Sequence, residues 1–268
     1  MPTGWPTYAT REHAPLKRGF IRAVEQLTGR VALGRRYDRA LHAGETSGFF
    51  GRVVRELKIE IDLPPAHEAH VPRDGPLLMI ANHPFGVVDG LILCDLAART
   101  RGDFKILLHM GLCREPALEP YLLPVDMAPD EEAQKTNRSS IRLALQELRK
   151  GGTLLLFPAG GISTAVGLRG PVTDLAWHPL VAKLFRSSKS PVLPVHFAGA
   201  NSRLFHTVSQ FSPTMRASIL LREQWARRGA KVSVRVGEPL TWSDAFVGLD
   251  DAALSLKLRE TVYETGRR

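Results

Sequence analysis

Short apolar runs alternate along this chain with longer segments of helical periodicity, and this alternation limits the fold more than any other feature of the sequence. The runs with the length and composition of β-strands lie at 59–63, 75–82, 103–110, 121–126, 153–161, 190–199 and 231–240. Helical patterns occupy 86–100 and 136–152, and another closes the chain at 250–268. Strands that alternate with helices form βαβ units. The sequence therefore predicts an α/β fold with a mostly parallel sheet flanked by helices.

The N-terminal part of the chain differs, because its pattern is helical and basic. Hydrophobic residues recur at helical spacing between Leu16 and Val31 and again within 49–59, with arginines and lysines between them. Two basic amphipathic helices are typical of a hairpin on a membrane surface, and equally of helices packed on a core with solvated basic faces. We therefore divide the chain into an N-terminal helical segment, 1–58, and an α/β domain, 59–268.

The composition narrows the classes of protein. The net charge of +9 and the pI of about 9.9 favour an anionic partner such as a membrane surface, nucleic acid or a phosphorylated substrate, although some soluble enzymes are basic without such a partner. The two cysteines, Cys94 and Cys113, are too few for a disulfide framework or a cysteine metal site. No signal-peptide pattern begins the chain, and no run approaches the roughly 18–20 apolar residues that span a bilayer. We expect a cytoplasmic protein without a membrane span.

Three loops follow apolar strands and contain the residues best suited to chemistry. They begin after Ile80, after Phe157 and after Phe197. Ligands of open α/β sheets bind at the carboxyl ends of the strands, so these loops are the predicted site.

The first of these loops, ANHPFGVVDG at 81–90, places a histidine and an aspartate in a stretch that otherwise lacks charge. Pro84 restricts His83 to an extended backbone, and Gly86 permits a tight turn that returns Asp89 to the imidazole. A histidine held by a carboxylate is a suitable general base. Because the stretch contains no serine or cysteine nucleophile, the hydroxyl that loses its proton would belong to the substrate. The alternative is structural: Asp89 caps a helix and His83 occupies a turn.

The same stretch resembles the first motif of the glycerolipid acyltransferase family, the lysophospholipid or 1-acylglycerol-3-phosphate O-acyltransferases. That motif is Asn-His, four residues and then Asp. Here five residues separate His83 from Asp89. This departure resembles the hemolysin-type branch, in which Asn-His-Pro precedes a glycine-containing turn and Asp-Gly, and the lyso-ornithine-lipid acyltransferases include similar members.

The other family motifs follow in order along the chain. LLLFPAGGIST, at 154–164, resembles the third motif, Phe-Pro-Glu-Gly-Thr-Arg-Ser. The residues that match it are Phe157, Pro158, Gly160 and Ser163. SPVLPVHFAGANSRLF, at 190–205, resembles the fourth motif, and YLLPVD, at 121–126, lies where the second would be. The resemblance covers most of the chain.

Three positions depart from the family pattern. Ala159 stands for the third motif's glutamate, Ile162 for its arginine, and Asp126 for the arginine of the second motif. In the phosphatidic-acid-forming enzymes these charged residues are associated with the glycerophosphate acceptor. These departures from the family pattern argue against a lysophosphatidate acceptor and favour a different head group, such as that of a lyso-aminolipid. Arg203 is a candidate clamp for a carboxylate or phosphate, because guanidinium binds either group bidentately, or else a solvated surface residue.

The resemblance implies O-acyl transfer from a thioester on coenzyme A or acyl carrier protein, with no cofactor and no metal. His83 would deprotonate the acceptor hydroxyl, Asp89 would orient His83, and the N–H groups of Gly160 and Gly161 would stabilise the oxyanion. The residues expected to bind substrate are Asn82, Gly86, Phe157, Pro158, Gly160, Gly161, Ser163 and Arg203. A membrane lipid surface is the expected partner, on the inner face of the membrane, and no nucleic acid is expected.

Other functions stay open from the sequence alone. His83 could activate water, which would make the protein a thioesterase-like hydrolase. A nucleic-acid-binding protein would explain the charge, and a catalytically idle member of the fold would bind membranes without turnover. The segment 203–231 contains six Lys or Arg residues and one acidic residue. It is either a second interfacial patch or a helix with an ordinary solvated basic face.

Overall fold

The structure, a computed structural model, confirms the α/β class. It describes residues 14–27, 30–44, 48–113, 115–167, 170–211 and 213–267. The strands are β1 Glu60–Asp62, β2 Leu77–Ala81, β3 Lys105–His109, β4 Leu122–Val125, β5 Thr153–Leu156, β6 Thr164–Ala165, β7 Val172–Thr173, β8 Val192–Phe197 and β9 Lys231–Val236. The helices are α1 Pro15–Leu27, α2 Arg30–His42, α3 Phe49–Glu56, α4 Pro65–Glu68, α5 Val87–Arg101, α6 Glu131–Arg149, α7 Leu180–Ser188, α8 Arg203–Phe211, α9 Pro213–Ala226 and α10 Asp251–Thr265.

The main sheet has seven strands in the order β1-β9-β8-β2-β5-β3-β4, and β6 and β7 form a small antiparallel pair. Every neighbouring pair in the main sheet is parallel except β8 and β9. The prediction of a mostly parallel sheet is therefore confirmed, with β8, β2 and β5 as adjacent central strands.

The central strand β2 is buried on both faces, as its uninterrupted apolar sequence predicts. Leu77, Met79 and Ala81 belong to one hydrophobic cluster together with α3 and α5. Leu78 and Ile80 belong to a second cluster with α6, α7 and α10. Successive side chains of a strand point to opposite faces, so the sheet lies between two helical layers.

One helix begins earlier than the sequence predicts. The pattern placed its start among the polar residues of 136–140, whereas α6 begins at Glu131 and Asp130 caps it by accepting the Ala133 N–H at 2.8 Å. The polar residues inside the helix have tertiary partners instead. Asn137 exchanges hydrogen bonds with the backbone of Asp126, and the Ser140 hydroxyl donates to a carbonyl of β4.

The N-terminal segment packs on the α/β domain. The first amphipathic pattern is divided between α1 and α2, and residues 28 and 29 lie outside the described part of the chain. The apolar side chains of α3 are buried against α5 in the same cluster as β2, whereas Leu16 of α1 is 90% exposed. The boundary at residue 58 stays a prediction. Within the described residues, no helix has both the length and the apolar character needed to span a bilayer.

Candidate active site

The three loops singled out in the sequence meet at one edge of the sheet. They follow β2, β5 and β8, which are parallel neighbours, so their carboxyl ends lie together. The Ser163 N–H of the second loop donates to the His83 carbonyl of the first at 2.9 Å.

Asn82 connects the first loop to the third. Its amide nitrogen donates to the Phe197 carbonyl at 2.9 Å, and its amide oxygen accepts the Phe197 N–H at 2.7 Å. The side chain is buried, and both of its polar atoms are used by this backbone pair. Asn82 was predicted to bind substrate, and that role stays a prediction. Its observed contacts hold β2 to β8 directly beside His83.

His83 and Asp89 lie against each other, as the spacing predicted. Nδ1 of the imidazole is 3.1 Å from Oδ2 of the carboxylate, within hydrogen-bond distance but outside the angular range of a regular hydrogen bond. The same Oδ2 accepts the N–H groups of Phe85 at 2.7 Å and Gly86 at 3.0 Å. Asp89 therefore caps the first turn of α5 and also faces the histidine, so the two interpretations of the motif are compatible.

Asp89 is fully buried, and this burial raises the pKa of its carboxyl above the ordinary value. Contact with His83 and the two backbone N–H groups acts in the opposite direction. Its second oxygen, Oδ1, has no hydrogen-bond partner among the described residues. A positive charge on His83 would therefore stabilise the ionised carboxylate.

Gly86 is required where the first loop turns into α5. Its φ is +82°, and a Cβ at this position would approach Cδ1 of Ile162 at 2.9 Å. Ile162, at the family's arginine position, packs with Phe205 and Leu220 in a small apolar cluster. The loop that contains the third motif thus contacts the loop that contains His83 through apolar side chains.

Phe157 begins the second loop with its ring stacked on His83, at a centroid distance of 4.1 Å and an angle of 30°. Pro158 is buried, and its carbonyl accepts the His178 N–H at 2.9 Å. The Gly160 N–H donates to the Phe157 carbonyl at 3.0 Å. The turn therefore already uses that N–H, and the role of Gly160 as an oxyanion donor stays a prediction. The N–H of Gly161 has no such partner in the described part of the chain.

The sequence analysis missed Asp174, a second buried carboxylate under the same loop. Its Oδ1 accepts the backbone N–H of His83 at 3.2 Å and the Ser163 hydroxyl at 2.5 Å. Its Oδ2 accepts the Trp177 indole N–H at 2.9 Å. Ser163, predicted to bind substrate, is itself buried, and its hydroxyl donates to this carboxylate. The available signal was a single acidic residue in the otherwise uncharged stretch PVTDLAWHP, at 171–179.

Comparison with known proteins decides the family. Residues 67–262 match the model of the acyltransferase family. This chain belongs to that family. It is similar to lyso-glycine lipid O-acyltransferases from Bacteroides thetaiotaomicron and Phocaeicola vulgatus, each 23% identical over 202 residues that cover 73% of this chain and 72% and 70% of theirs. The solved 1-acyl-sn-glycerophosphate (LPA) acyltransferase, PlsC, from Thermotoga maritima aligns over 94% of this chain and 97% of that one, with 14% identity and a TM-score of 0.48.

Two arginines that the sequence analysis did not single out contact the motif loops, and the role of Arg203 as a clamp stays a prediction. Arg203 begins α8 with an exposed side chain that makes no hydrogen bond or ion pair with any described residue. Arg227, just beyond α9, has its guanidinium 3.8 Å from the centre of the Phe85 ring and donates to the Ala200 carbonyl. Arg216 of α9 donates to the third-motif loop at 2.9 Å. Burial lowers the pKa of both Arg216 and Arg227, so neither belongs to a simply solvated basic face.

An apolar cavity of about 140 Å³ opens on His83. It extends between β3 and the helices α2, α3 and α5, and its lining residues are Tyr37, Phe49, Phe50, His83, Gly86, Val87, Gly90, Leu91, Cys94, Ile106, Leu108, Leu112, Leu118, Leu122 and Phe157. A larger cavity of about 750 Å³ lies beside β4 and α6, and neither His83 nor Asp89 lines it. In the described ranges, no group of three His, Cys, Asp or Glu side chains could hold a metal ion.

Proposed function

We propose that this acyltransferase moves a fatty acyl group from an acyl thioester to the hydroxyl of a lysolipid, with His83 as the general base. The observation that carries the proposal is the pair formed by His83 and the buried Asp89 at the mouth of an apolar cavity. Nδ1 faces the carboxylate, and Nε2 has no hydrogen-bond partner among the described residues, so it is the nitrogen available to a substrate hydroxyl.

The reaction exchanges a thioester for an ester. The acceptor hydroxyl attacks the thioester carbonyl while Nε2 of His83 takes its proton, and Asp89 fixes the ring and stabilises the imidazolium. The tetrahedral intermediate then expels the thiolate, which takes the proton from His83 and leaves as the thiol. The Gly161 N–H is our candidate for the oxyanion donor. General-base assistance of this kind contributes about 10²–10⁴-fold to the rate.

The lining of the cavity at His83 suits hydrocarbon from the acyl chain of the donor. All of its lining side chains except His83 and Tyr37 are apolar or sulfur-containing, so it would exclude the charged carrier and admit hydrocarbon. The carrier, coenzyme A or acyl carrier protein, would stay outside, and the thioester carbonyl would lie near His83. The chemistry requires no metal or other cofactor.

The acceptor that we propose is a lyso-aminolipid with an anionic head group. The similar proteins from Bacteroides and Phocaeicola are lyso-glycine lipid O-acyltransferases. The family's charged positions for glycerophosphate are Ala159, Ile162 and Asp126 here. Arg227, which lies over the first motif, is better placed than Arg203 to receive a carboxylate.

We further propose that the enzyme works at the inner face of the cytoplasmic membrane without crossing it. The net charge of +9 favours anionic lipid, and Leu16 of the basic helix α1 is 90% exposed. Co-sedimentation with anionic vesicles, with binding weakened by salt and by Leu16→Asp, is the expected result. Equal retention by neutral and anionic vesicles would contradict it.

The test of the reaction uses purified protein, palmitoyl-coenzyme A and a lyso-glycine lipid, with release of thiol and formation of the new ester measured together. Wild type is expected to release thiol only when acceptor is present. The rate of acyl transfer by His83→Ala is expected to be lower by about 10²–10⁴-fold. His42→Ala, which removes an exposed histidine at the end of α2, is the control and should retain activity.

Each rival function has a distinct outcome in the same experiment. Thiol release that does not depend on acceptor identifies a thioesterase. Vesicle binding without turnover identifies an idle membrane-binding protein. Binding to DNA or RNA in preference to vesicles, again without turnover, identifies a nucleic-acid-binding protein.

A further inference from the structure

A second apolar cavity lies on the other side of Phe157, and its occupant follows from the proposed acyl transfer. The groove has a volume of about 540 Å³ and runs along the carboxyl ends of β3, β4 and β5 to α6 and α7. Its lining residues are Leu107, Leu108, His109, Val125, Met127, Asn137, Ile141, Leu156, Phe157, Pro158, Ala159, Gly160, Ala176, Trp177, His178, Pro179, Leu180 and Val181.

The groove adjoins the cavity at the candidate active site, and the two spaces share the lining side chains of Phe157 and Leu108. Phe157 lines both this groove and the cavity of about 140 Å³, and its ring stacks on His83. Two apolar spaces therefore meet at the proposed base, one under α5 and one beside α6. An acyltransferase that acts on a lysolipid must bring two hydrocarbon-bearing molecules to this point, so each space can receive one chain.

The chemistry of the groove selects hydrocarbon. No Asp, Glu, Lys or Arg occurs among its described lining residues. Its polar side chains already have internal partners: the Asn137 amide bonds to the backbone of Asp126, and Nδ1 of His178 accepts the Leu180 N–H at 3.1 Å. The Trp177 indole N–H donates to Asp174, which leaves its ring face to line the space. Because no described lining residue is Asp, Glu, Lys or Arg, an ionised ligand would lose its hydration there without gaining an ion pair to one of those side chains.

We propose that the groove binds the hydrocarbon chain of the lysolipid acceptor. Its rim carries exposed apolar side chains, since Met127 is 63% exposed and Leu175, next to the lining residue Ala176, is 55% exposed. An acceptor dissolved in a bilayer can pass from lipid into such an opening without crossing water. The donor arrives instead on a polar, water-soluble carrier, and the acyl chain of the donor would occupy the cavity under α5.

The test narrows the groove and compares the chain-length dependence of the two substrates. Ile141 lines the groove from α6 and is partly buried, so Ile141→Trp fills part of the space. Leu143, on the same helix, is 45% exposed and does not line the groove, so Leu143→Trp is the matched control. Initial rates are measured with lyso-glycine lipids of graded chain length at fixed palmitoyl-coenzyme A, and with acyl-coenzyme A of graded length at one fixed short-chain acceptor.

Ile141→Trp is expected to lower kcat/KM for long-chain acceptors by about tenfold or more relative to short-chain ones, and to leave the donor profile unchanged. Leu143→Trp should leave both profiles unchanged. A change in the donor profile alone would assign the groove to the donor and overturn the proposal. Unchanged profiles for both substrates in folded Ile141→Trp would also overturn it.

A second variant covers the case in which Ile141→Trp does not fold. Met127→Asp changes an exposed side chain at the rim. It should likewise lower kcat/KM for long-chain acceptors relative to short-chain ones. The wild-type assay separates this inference from the function on which it rests. Without acceptor-dependent ester formation by wild type, the proposed reaction fails. With it, but with no acceptor-length effect in either variant, only the groove assignment fails.

Discussion

Two buried carboxylates hold His83, and they hold different parts of it. Asp89 faces the imidazole ring, 3.1 Å from Nδ1, whereas Asp174 accepts the backbone N–H of the same residue at 3.2 Å. A change at Asp89 alters the charge beside the ring, and a change at Asp174 alters the support of the loop. If His83 is the general base that we propose, the charge beside its ring and the position of its backbone are separate requirements, and substitutions can test them one at a time.

The largest effect is expected for Asp89→Asn. The amide oxygen can still accept the N–H groups of Phe85 and Gly86, so the first turn of α5 keeps its cap. The charge that orients His83 and stabilises its protonated form is lost. We expect kcat to fall by about 10²–10⁴-fold in the acyl-transfer assay, with a folded protein by circular dichroism.

A double-mutant cycle between Asp89→Asn and His83→Ala sharpens this result. If the two residues act as one unit, the double variant should be about as slow as His83→Ala alone. Additive losses would mean that Asp89 serves only as a helix cap and that its effect reaches the reaction by another route.

The contrast between the carboxylates also explains what could be predicted from the sequence. Asp89 lies six residues after His83, in the first turn of α5, so residue spacing and a glycine turn were sufficient to pair them. Asp174 is 91 residues from His83 and reaches it only because the segment after β7 folds under the β2 loop. No local periodicity encodes that contact, and the sequence offered only an isolated acidic residue among apolar ones.

Elsewhere in the molecule, too, local patterns were predictable from the sequence, whereas contacts between distant segments were not. The strand-helix alternation predicted the parallel sheet, and the three loops were correctly expected at one edge of it. Arg203 was the candidate arginine from the sequence, whereas the structure brings Arg227 over Phe85, which the sequence analysis did not single out. That contact depends on how α9 packs against the loop after β8, which is a tertiary property. The Gly160 N–H was likewise assigned without knowledge of the turn that uses it.

Asp174→Asn should have a smaller effect on catalysis and a clear effect on stability. An amide that keeps its oxygen toward His83 and Ser163 presents its NH₂ group to the Trp177 indole N–H, so two donors face each other in a buried place. This should cost about 1–3 kcal/mol in the free energy of unfolding. The displaced loop should lower kcat by roughly 10- to 100-fold.

The pH profile distinguishes positioning from a merely structural role for Asp174. In Asp174→Asn the dependence of kcat/KM on pH should keep its wild-type shape, because the charged pair at the ring is unchanged, whereas in Asp89→Asn it should shift. A variant that loses stability but retains full kcat would show that Asp174 supports the fold without positioning His83.

Stability against pH gives a further test of the Asp89 environment. Burial raises the pKa of this carboxyl, so in the window between its unfolded pKa of about 4 and its higher folded pKa the folded chain holds the proton more strongly. Its contribution to stability is present below that window and is lost as the pH rises through it. The test compares urea unfolding of the variant His83→Ala with that of the double variant His83→Ala/Asp89→Asn. Both variants lack the imidazole at position 83, so its titration does not contribute to the difference. The free energy of unfolding of His83→Ala minus that of the double variant should decrease as the pH rises. An increase would mean that the pKa of Asp89 in the folded protein lies below its ordinary value.

The smallest effect on kcat is expected for Ser163→Ala, which tests the hydrogen bond between the second loop and Asp174. The variant removes the hydroxyl that donates to Asp174 at 2.5 Å but retains the backbone bond from Ser163 N–H to the His83 carbonyl. Because the lost bond is to a carboxylate, the free energy of unfolding should fall by about 1.5–3 kcal/mol. Ser255→Ala, which removes a buried hydroxyl bonded to a neutral carbonyl in α10, should cost about 0.5–1.5 kcal/mol. Little change in kcat is expected in either variant, since Asp174 still accepts the His83 N–H. A large loss of kcat in Ser163→Ala alone would assign this hydroxyl a direct contact with substrate.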